Sequence, residues 1–385
     1  MTIIGTRPEA IKMAPVVKTL QTDPRFQSVL CVSGQHLGLL ERALEAFDIV
    51  PDVNMKVMQP GQSLTELTAN ILTGLAPILS RERPDRILVH GDTSTTLAAS
   101  LAGFYAKIPV GHVEAGLRSN DISSPWPEEA NRKMVATVAT DHFAPTESAR
   151  QSLLAEGVPD DKISVTGNTV IDALQAACQR LKCDAVLQIE MQKKFAYLGH
   201  GRRVLLVTMH RRENHGDGVA RICKAVKNLT AAFPDLLVVL PMHRNPAVCG
   251  PVRKFLAGQP NIHLIEPLDY LPFVYLMTQS HLILTDSGGI QEEAPTLGVP
   301  VLVARDTTER SEAVDVGTVL MTGTSAAKIY QNAARLLQDQ VAYSKMAQAH
   351  NPYGDGRASA RIIEHLAKEM ECEDWTQSRS LGWAI

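Results

Sequence analysis

The sequence is poor in the features that announce many protein classes. Its six cysteines, Cys31, Cys178, Cys183, Cys223, Cys249 and Cys372, are scattered over 385 residues. None forms a C-x-x-C pair or falls at zinc-site spacing, so they read as idle or buried thiols. No segment approaches the roughly 18 uninterrupted apolar residues of a membrane-spanning helix. The start, Met1-Thr2-Ile3-Ile4-Gly5-Thr6-Arg7, lacks the charged lead and apolar stretch of a signal peptide. A cytoplasmic protein is expected. No basic block stands out, and 38 Lys and Arg oppose 41 Asp and Glu, for a formal charge of −3. Nucleic acid and anionic membrane therefore have no electrostatic support as partners. No G-x-G-x-x-G follows a strand, so a dinucleotide fingerprint is absent. No metal-ligand cluster is seen, since His210 and His215 are too isolated.

What is present is ordinary in bulk and ordered in pattern. Apolar residues make up 45% and charged residues 21%, as in globular proteins generally. The length suits two domains of about 150–200 residues each. Residues 28–33, 86–90, 108–113 and 162–165 read as strands, β-branched and apolar throughout rather than alternating, as strands buried on both faces are. Helical stretches such as 63–79 and 95–106 lie between them, which is the βαβ pattern of a doubly wound parallel sheet. The pattern restarts with 203–209, 236–241, 262–265, 282–285 and 300–303. Between the series lies 172–201, helical and charged.

The boundary is placed near Thr166-Gly167-Asn168-Thr169, because Gly and Asn tolerate unusual backbone angles. Domains 1–168 and 169–353 follow, both α/β and Rossmann-like, with a cleft expected between them. Ligands on such sheets bind beyond the carboxyl ends of the strands.

The polar clusters fall directly after strands. In Gly5-Thr6-Arg7-Pro8-Glu9-Ala10-Ile11-Lys12, Gly5 turns the chain and Pro8 suits the first helical turn. Arg7 and Lys12 then lie near a helix N-terminus, where anions are favoured; a solvated surface turn is the plainer alternative. His90-Gly91-Asp92-Thr93 follows 86–89, and His112-Val113-Glu114-Ala115-Gly116 follows 108–111. Pro127-Glu128-Glu129-Ala130-Asn131-Arg132 opens a helix. Asp92, Glu114 and Glu128 are thus brought to one sheet edge, where clustered carboxylates raise at least one pKa and poise it for acid/base work. The plainer alternatives are a surface ion pair for Glu128 and Arg132 and a helix N-cap for Asp92. Glu114, between Val113 and Ala115-Gly116, is expected to be buried.

In the second series, Thr208-Met209-His210-Arg211-Arg212-Glu213-Asn214 follows a strand. His210 beside two arginines reads as a phosphate or sugar contact. Leu282–Asp286 runs into Ser287-Gly288-Gly289-Ile290-Gln291-Glu292-Glu293. Here glycines let a diphosphate approach backbone N–H groups, with a helix dipole behind them. Glu293, one turn on, can accept both ribose hydroxyls. This combination points to a nucleotide diphosphate.

These segments together resemble the non-hydrolysing UDP-N-acetylglucosamine 2-epimerases over almost the whole chain. They are GTRPEAIKMAP (5–15), SGQH (33–36), HGDT (90–93), HVEAGLR (112–118), PEEANR (127–132), GNTVIDAL (167–174), HRREN (210–214), DSGGIQEE (286–293) and RDTTER (305–310). The resemblance implies the two-domain fold of many nucleotide-sugar glycosyltransferases (GT-B-like), with a last helix, 354–385, crossing back to the first domain. It implies UDP held by the second domain, with Ser287, Gly288 and Gly289 at the diphosphate, Glu293 at the ribose and Phe273 near the uracil. Arg7 and His210 would lie near the phosphates or sugar, with Lys12, Arg132 and Arg310 as further substrate contacts. The implied chemistry is elimination of UDP to a 2-acetamidoglucal followed by re-addition. Asp92, Glu114 and Glu128 are the acid/base candidates, their roles not divided, with His210 beside them. No cofactor, metal or hydride transfer is involved.

A homodimer is also implied, as is an activating UDP-N-acetylglucosamine near Gln35, His36, Asn70, Arg211 and His243. Gly38 and Asn70 are smaller than the usual side chains there. Only four residues precede Gly5, and the family's Arg-Pro-Glu is Arg310-Ser311-Glu312 here. The rival readings are a 2-epimerase of a modified UDP-sugar such as a diacetamido-uronic acid, a hydrolysing relative, a UDP-sugar glycosyltransferase and a non-catalytic UDP-sugar binder.

Overall fold

The computed structural model describes residues 1–34, 38–59, 61–199 and 201–372. The chain divides into two compact units. One is Met1–Ala173 together with the chain from Tyr353 onward; the other is Leu174–Pro352. The first unit therefore extends past residue 168 into the helix Thr169–Cys183. The cause is local. Val170, Ile171 and Ala173 are buried, and Asp172 accepts backbone N–H bonds from Ala358 (3.2 Å) and Ser359 (2.8 Å). These donors open the helix Ala358–Cys372, the described part of the helix expected over 354–385.

The first unit is built on seven parallel strands: β1 (Thr2–Ile4), β2 (Leu30–Val32), β3 (Val53–Asn54), β4 (Ile87–His90), β5 (Val110–Val113), β6 (Asp141–Ala144) and β7 (Ile163–Val165). Their order is β3-β2-β1-β4-β5-β6-β7. The second unit has six parallel strands: β8 (Arg203–Thr208), β9 (Leu236–Pro241), β10 (Ile262–Ile265), β11 (Leu282–Thr285), β12 (Val301–Val303) and β13 (Val319–Met321). Their order is β10-β9-β8-β11-β12-β13.

Most strands are apolar on both faces because helices cover both faces. In the first unit, Ile3, Ile87, Val89 and Val110 pack with Leu67, Ile71 and Leu75 of the helix Leu64–Glu82 and with Ala98 and Ala102 of the helix Ser94–Tyr105. In the second, Leu205, Val207, Val238 and Leu284 pack with Ile222, Val226 and Leu229 of the helix Asp217–Ala232. Each such Leu, Ile or Val contributes about 1.5–3 kcal/mol by leaving water.

The strand order reverses between β1 and β4 in the first unit and between β8 and β11 in the second. Loops leaving the sheet on either side of such a switch point diverge and open a crevice at the strands' carboxyl ends. The β1 end is unusually close to its neighbours. A Cβ on Gly5 would sit 2.0 Å from Thr95 Oγ1 and 2.5 Å from Ser33 Oγ, so glycine alone fits there. Among the described residues no helix is long and apolar enough to cross a membrane.

Candidate active site

The loops after β1, β4 and β5 carry the first cluster. Arg7 opens the helix Arg7–Thr22, with Pro8 behind it. Glu9 is the organiser. It is buried, and its Oε2 accepts the backbone N–H groups of Thr6 (2.7 Å) and Gly5 (3.1 Å). Its Oε1 accepts the hydroxyls of Thr93 (2.9 Å) and Thr96 (3.2 Å). One carboxylate thereby ties the Arg7 turn to the Asp92 loop. Burial pushes the Glu9 pKa up, against the hydrogen bonds from Thr6, Thr93 and Gly5. Arg7 is half-buried and carries no ion pair among the described residues.

Glu114 stands one residue past β5, in a left-handed backbone conformation with φ of +63°. For a non-glycine residue this costs on the order of 1–2 kcal/mol, and such strain gathers at functional sites. Its side chain is 9% exposed. Oε1 receives the Lys12 ammonium and Asn168 Nδ2, the latter at 2.9 Å. Oε2 lies 3.6 Å from His90 Nε2. His112, also buried, donates from Nε2 to the Gly91 carbonyl at 2.7 Å and so holds the neighbouring loop. Burial brings its pKa down to about 3, so the ring is neutral.

Asp92 is paired rather than capping. The N-cap of the helix Ser94–Tyr105 is Thr93, whose hydroxyl accepts the Thr96 N–H. Asp92 Oδ2 instead meets Arg132 at Nη2 (2.6 Å) and Nε (2.9 Å). Arg132 also donates to the fully buried Glu129 at 3.1 Å. The ion pair of Arg132 with Glu128 considered from spacing does not form; Arg132 turns to Asp92 and Glu129. Glu128 is half-buried as the first residue of the helix Glu128–Val138.

The loops after β8 and β11 carry the second cluster. Asp286, fully buried, accepts N–H bonds from His210 (3.0 Å) and Arg211 (3.0 Å) and the Asn214 amide (3.0 Å). It also meets His210 Nδ1 at 2.9 Å. Burial acts to raise the Asp286 pKa, but the His210 contact and the backbone donors win and hold it below the usual value. An ionised Asp286 fixes the His210 tautomer with the proton on Nδ1, leaving Nε2 for a ligand. The His243 ring centroid is 6.2 Å from that of His210, and burial lowers its pKa.

Ser287 caps a helix of only six residues, Gly288–Glu293. So short a helix adds little dipole, and the positive charge comes from Arg310. Its guanidinium lies over Gly288, where a Cβ would be 3.1 Å from Cζ. It is held by the buried Glu292 at 2.8 Å. The Ser287 N–H goes to Thr285 Oγ1 at 2.9 Å. The Ser287 hydroxyl and the Gly288 and Gly289 N–H groups stand at the start of this helix. Glu293 is buried and accepts the Tyr270 hydroxyl at 3.0 Å. Phe273 is one turn beyond Tyr270 on the helix Tyr270–Thr278, hence on the same face.

A family model described as UDP-N-acetylglucosamine 2-epimerase matches residues 18–367. The UDP-N-acetylglucosamine 2-epimerase of Yersinia pestis is 56% identical over 95% of this chain and 97% of its own. That of Escherichia coli K12 is 53% identical over 95% and 97%. The chain belongs to this family. A crystal structure of UDP-GlcNAc 2-epimerase from Neisseria meningitidis bound to UDP-GlcNAc is similar at a TM-score of 0.90, with 50% identity over 95% of this chain and 99% of that one. The two Rossmann-like units are thus those of a GT-B-like epimerase fold, and the family is one of isomerases.

In the first unit the structure gathers Lys12, Asp92, Glu114 and Arg132 near its switch point. His210, Ser287, Gly288, Gly289, Glu293 and Arg310 lie around the loops of the other. Gln35 and His36 lie outside the described residues. Sequence reasoning assigned no role to Glu9, Glu129, Tyr270 or Asp286, and read Asn168 only as part of the domain boundary. Asp286 carried the clearest signal, an acid at a strand end directly before a glycine turn.

Proposed function

We propose that the chain interconverts UDP-N-acetylglucosamine and UDP-N-acetylmannosamine by eliminating UDP across C1–C2 and adding it back. The observation that carries this reading is a pair of carboxylates on adjacent strand ends, each held by its own cation: Asp92 by Arg132 and Glu114 by Lys12. A transferase needs no such pair. C2–H is a weak acid, so its removal needs a positioned carboxylate and a stabilised leaving group.

A carboxylate of the first unit takes the C2 proton. The C1–O bond breaks with its electron pair on UDP, and a C1–C2 double bond forms in a 2-acetamidoglucal. Proton return to the opposite face of C2 and re-addition of UDP at C1 complete the inversion. Asp92, Glu114 and Glu128 share the two proton transfers. UDP is held by the Ser287 hydroxyl, the Gly288 and Gly289 N–H groups and Arg310, with Arg7 and the Nε2 face of His210 as further phosphate or sugar contacts. Glu293 takes the ribose hydroxyls with one oxygen held by Tyr270, and Phe273 lies by the uracil. An activating UDP-N-acetylglucosamine near Arg211 and His243, a homodimeric assembly and residence in the cytoplasm belong to the same proposal and rest on the family.

Proton NMR of UDP-N-acetylglucosamine with the purified protein in D2O tests it. Appearance of UDP-N-acetylmannosamine with deuterium at C2 is the expected result. An unchanged and unexchanged substrate would refute it, and a diacetamido-uronic acid nucleotide would be the next sample.

A further inference from the structure

We infer that Asn168 is a positioning residue for Glu114, holding one oxygen of that carboxylate so that the other is presented for proton transfer. The inference deepens the acid/base reading above and rests on it.

The argument starts at Oε1 of Glu114. It receives two donors, the Lys12 ammonium from the helix Arg7–Thr22 and Asn168 Nδ2 at 2.9 Å. Two donors on one oxygen fix the rotation of the carboxylate plane, which is broad when only sterics act. Oε2 is then aimed at the Gly91 loop, 3.6 Å from His90 Nε2. Lys12 and His90 are charged or titratable groups placed against this carboxylate. Both donors bond the ionised form, and hydrogen bonding to the charged form favours it.

Asn168 can do this because it is itself immobile. It is 3% exposed. Its Oδ1 accepts the Val170 N–H at 3.0 Å, and its own N–H donates to the Tyr353 carbonyl at 2.7 Å. Tyr353 begins the segment that returns to the first unit. The two segments meet at glycines: a Cβ on Gly167 would lie 3.4 Å from Gly354 Cα, and the reverse also holds. The side chain is thus used at both ends, as acceptor at the helix start and as donor to Glu114. Aspartate has no donor, and serine is too short to reach. The sequence Thr166-Gly167-Asn168-Thr169 read as a domain boundary; the structure holds its asparagine by hydrogen bonds at both ends of the side chain.

The test is the pH dependence of kcat and of C2 deuterium exchange for Asn168→Asp. This variant keeps the acceptor for Val170 and sets a second carboxylate against Oε1. The limb of the profile that belongs to Glu114 should move to higher pH by about one unit or more. At neutral pH, kcat should fall about tenfold to a hundredfold with KM within about threefold. Asn168→Ser, which can still accept from Val170, should lose kcat with a smaller move in the same direction. It decides the matter if the aspartate variant does not fold. A loss that is uniform across pH in a folded variant, or a profile equal to that of the unsubstituted protein, would overturn the inference. Absence of exchange in the unsubstituted protein would overturn the epimerase reading, and this inference with it.

Discussion

The two units solve one geometric problem with opposite charge. Both are parallel sheets whose order reverses once, and both place polar loops at that reversal. In the first unit the loops present carboxylates, each backed by a cation: Glu114 on Lys12, Asp92 on Arg132. In the second the loops present an imidazole, a guanidinium and N–H groups, the two side chains each backed by a buried acid: His210 by Asp286 and Arg310 by Glu292. The difference teaches where specificity of charge resides. The fold supplies the crevice, and the residue one step past each strand supplies the chemistry. On the proposed function, one unit moves protons and the other holds an anion.

Substitutions should therefore separate the two tasks. The largest effect belongs to the acid/base side. Glu114→Gln and Asp92→Asn should each lower turnover by about a thousandfold, measured as UDP-sugar interconversion by NMR. UDP affinity by calorimetry should stay within about threefold. Near-normal turnover in both would break the comparison.

Asp286→Asn acts on the other side through His210. Turnover should drop about tenfold to a hundredfold, since a hydrogen bond to a charged group is lost. Stability should drop by about 1–3 kcal/mol. The sign with pH follows from the lowered Asp286 pKa. Its contribution is present above the ordinary aspartate value and is lost as pH falls through the folded value. Thermal melts from pH 7 to pH 3 should therefore converge for the variant and the unsubstituted protein at the acid end. Curves that stay parallel would contradict that assignment.

Gly288→Ala is smaller and more selective. Its Cβ would press on Arg310 from 3.1 Å. UDP affinity should weaken about tenfold, with KM rising and kcat little changed at saturation. Tyr270→Phe is smaller again. Losing one hydrogen bond to Glu293 should weaken UDP about fivefold, read by the same titration. A fall in kcat rather than affinity for either would blur the division of labour.

Much of this was legible in the residues. Runs such as 203–209 and 282–285 announced buried parallel strands because their consecutive side chains, Val204–Val207 and Leu282–Leu284, are apolar. β6 was not announced, because Asp141 and His142 are polar yet buried, Asp141 in an ion pair with Arg86. β3 is too short, at two residues, to carry a pattern. Asp92, Glu114 and His210 were legible from position alone, as polar residues just past apolar strands. Their partners were not. Asn168 lies 54 residues from Glu114 in the chain and Asp286 lies 76 from His210, and such pairings exist only after the sheet order is known. Spacing misled at Arg132, whose local partner Glu128 lost to Asp92, 40 residues away. A strand-end pairing behind a buried Glu129 outweighs an exposed i,i+4 pair worth about 0.3–0.5 kcal/mol.

The most direct test of proton chemistry in the first unit is deuterium incorporation at C2 of UDP-N-acetylglucosamine by Glu114→Gln in D2O, at saturating substrate and beside the unsubstituted protein. The account predicts exchange and epimer formation with the unsubstituted protein, and an exchange rate lower by about a thousandfold in the variant. Exchange at a similar rate in both would mean that the C2 proton is handled elsewhere.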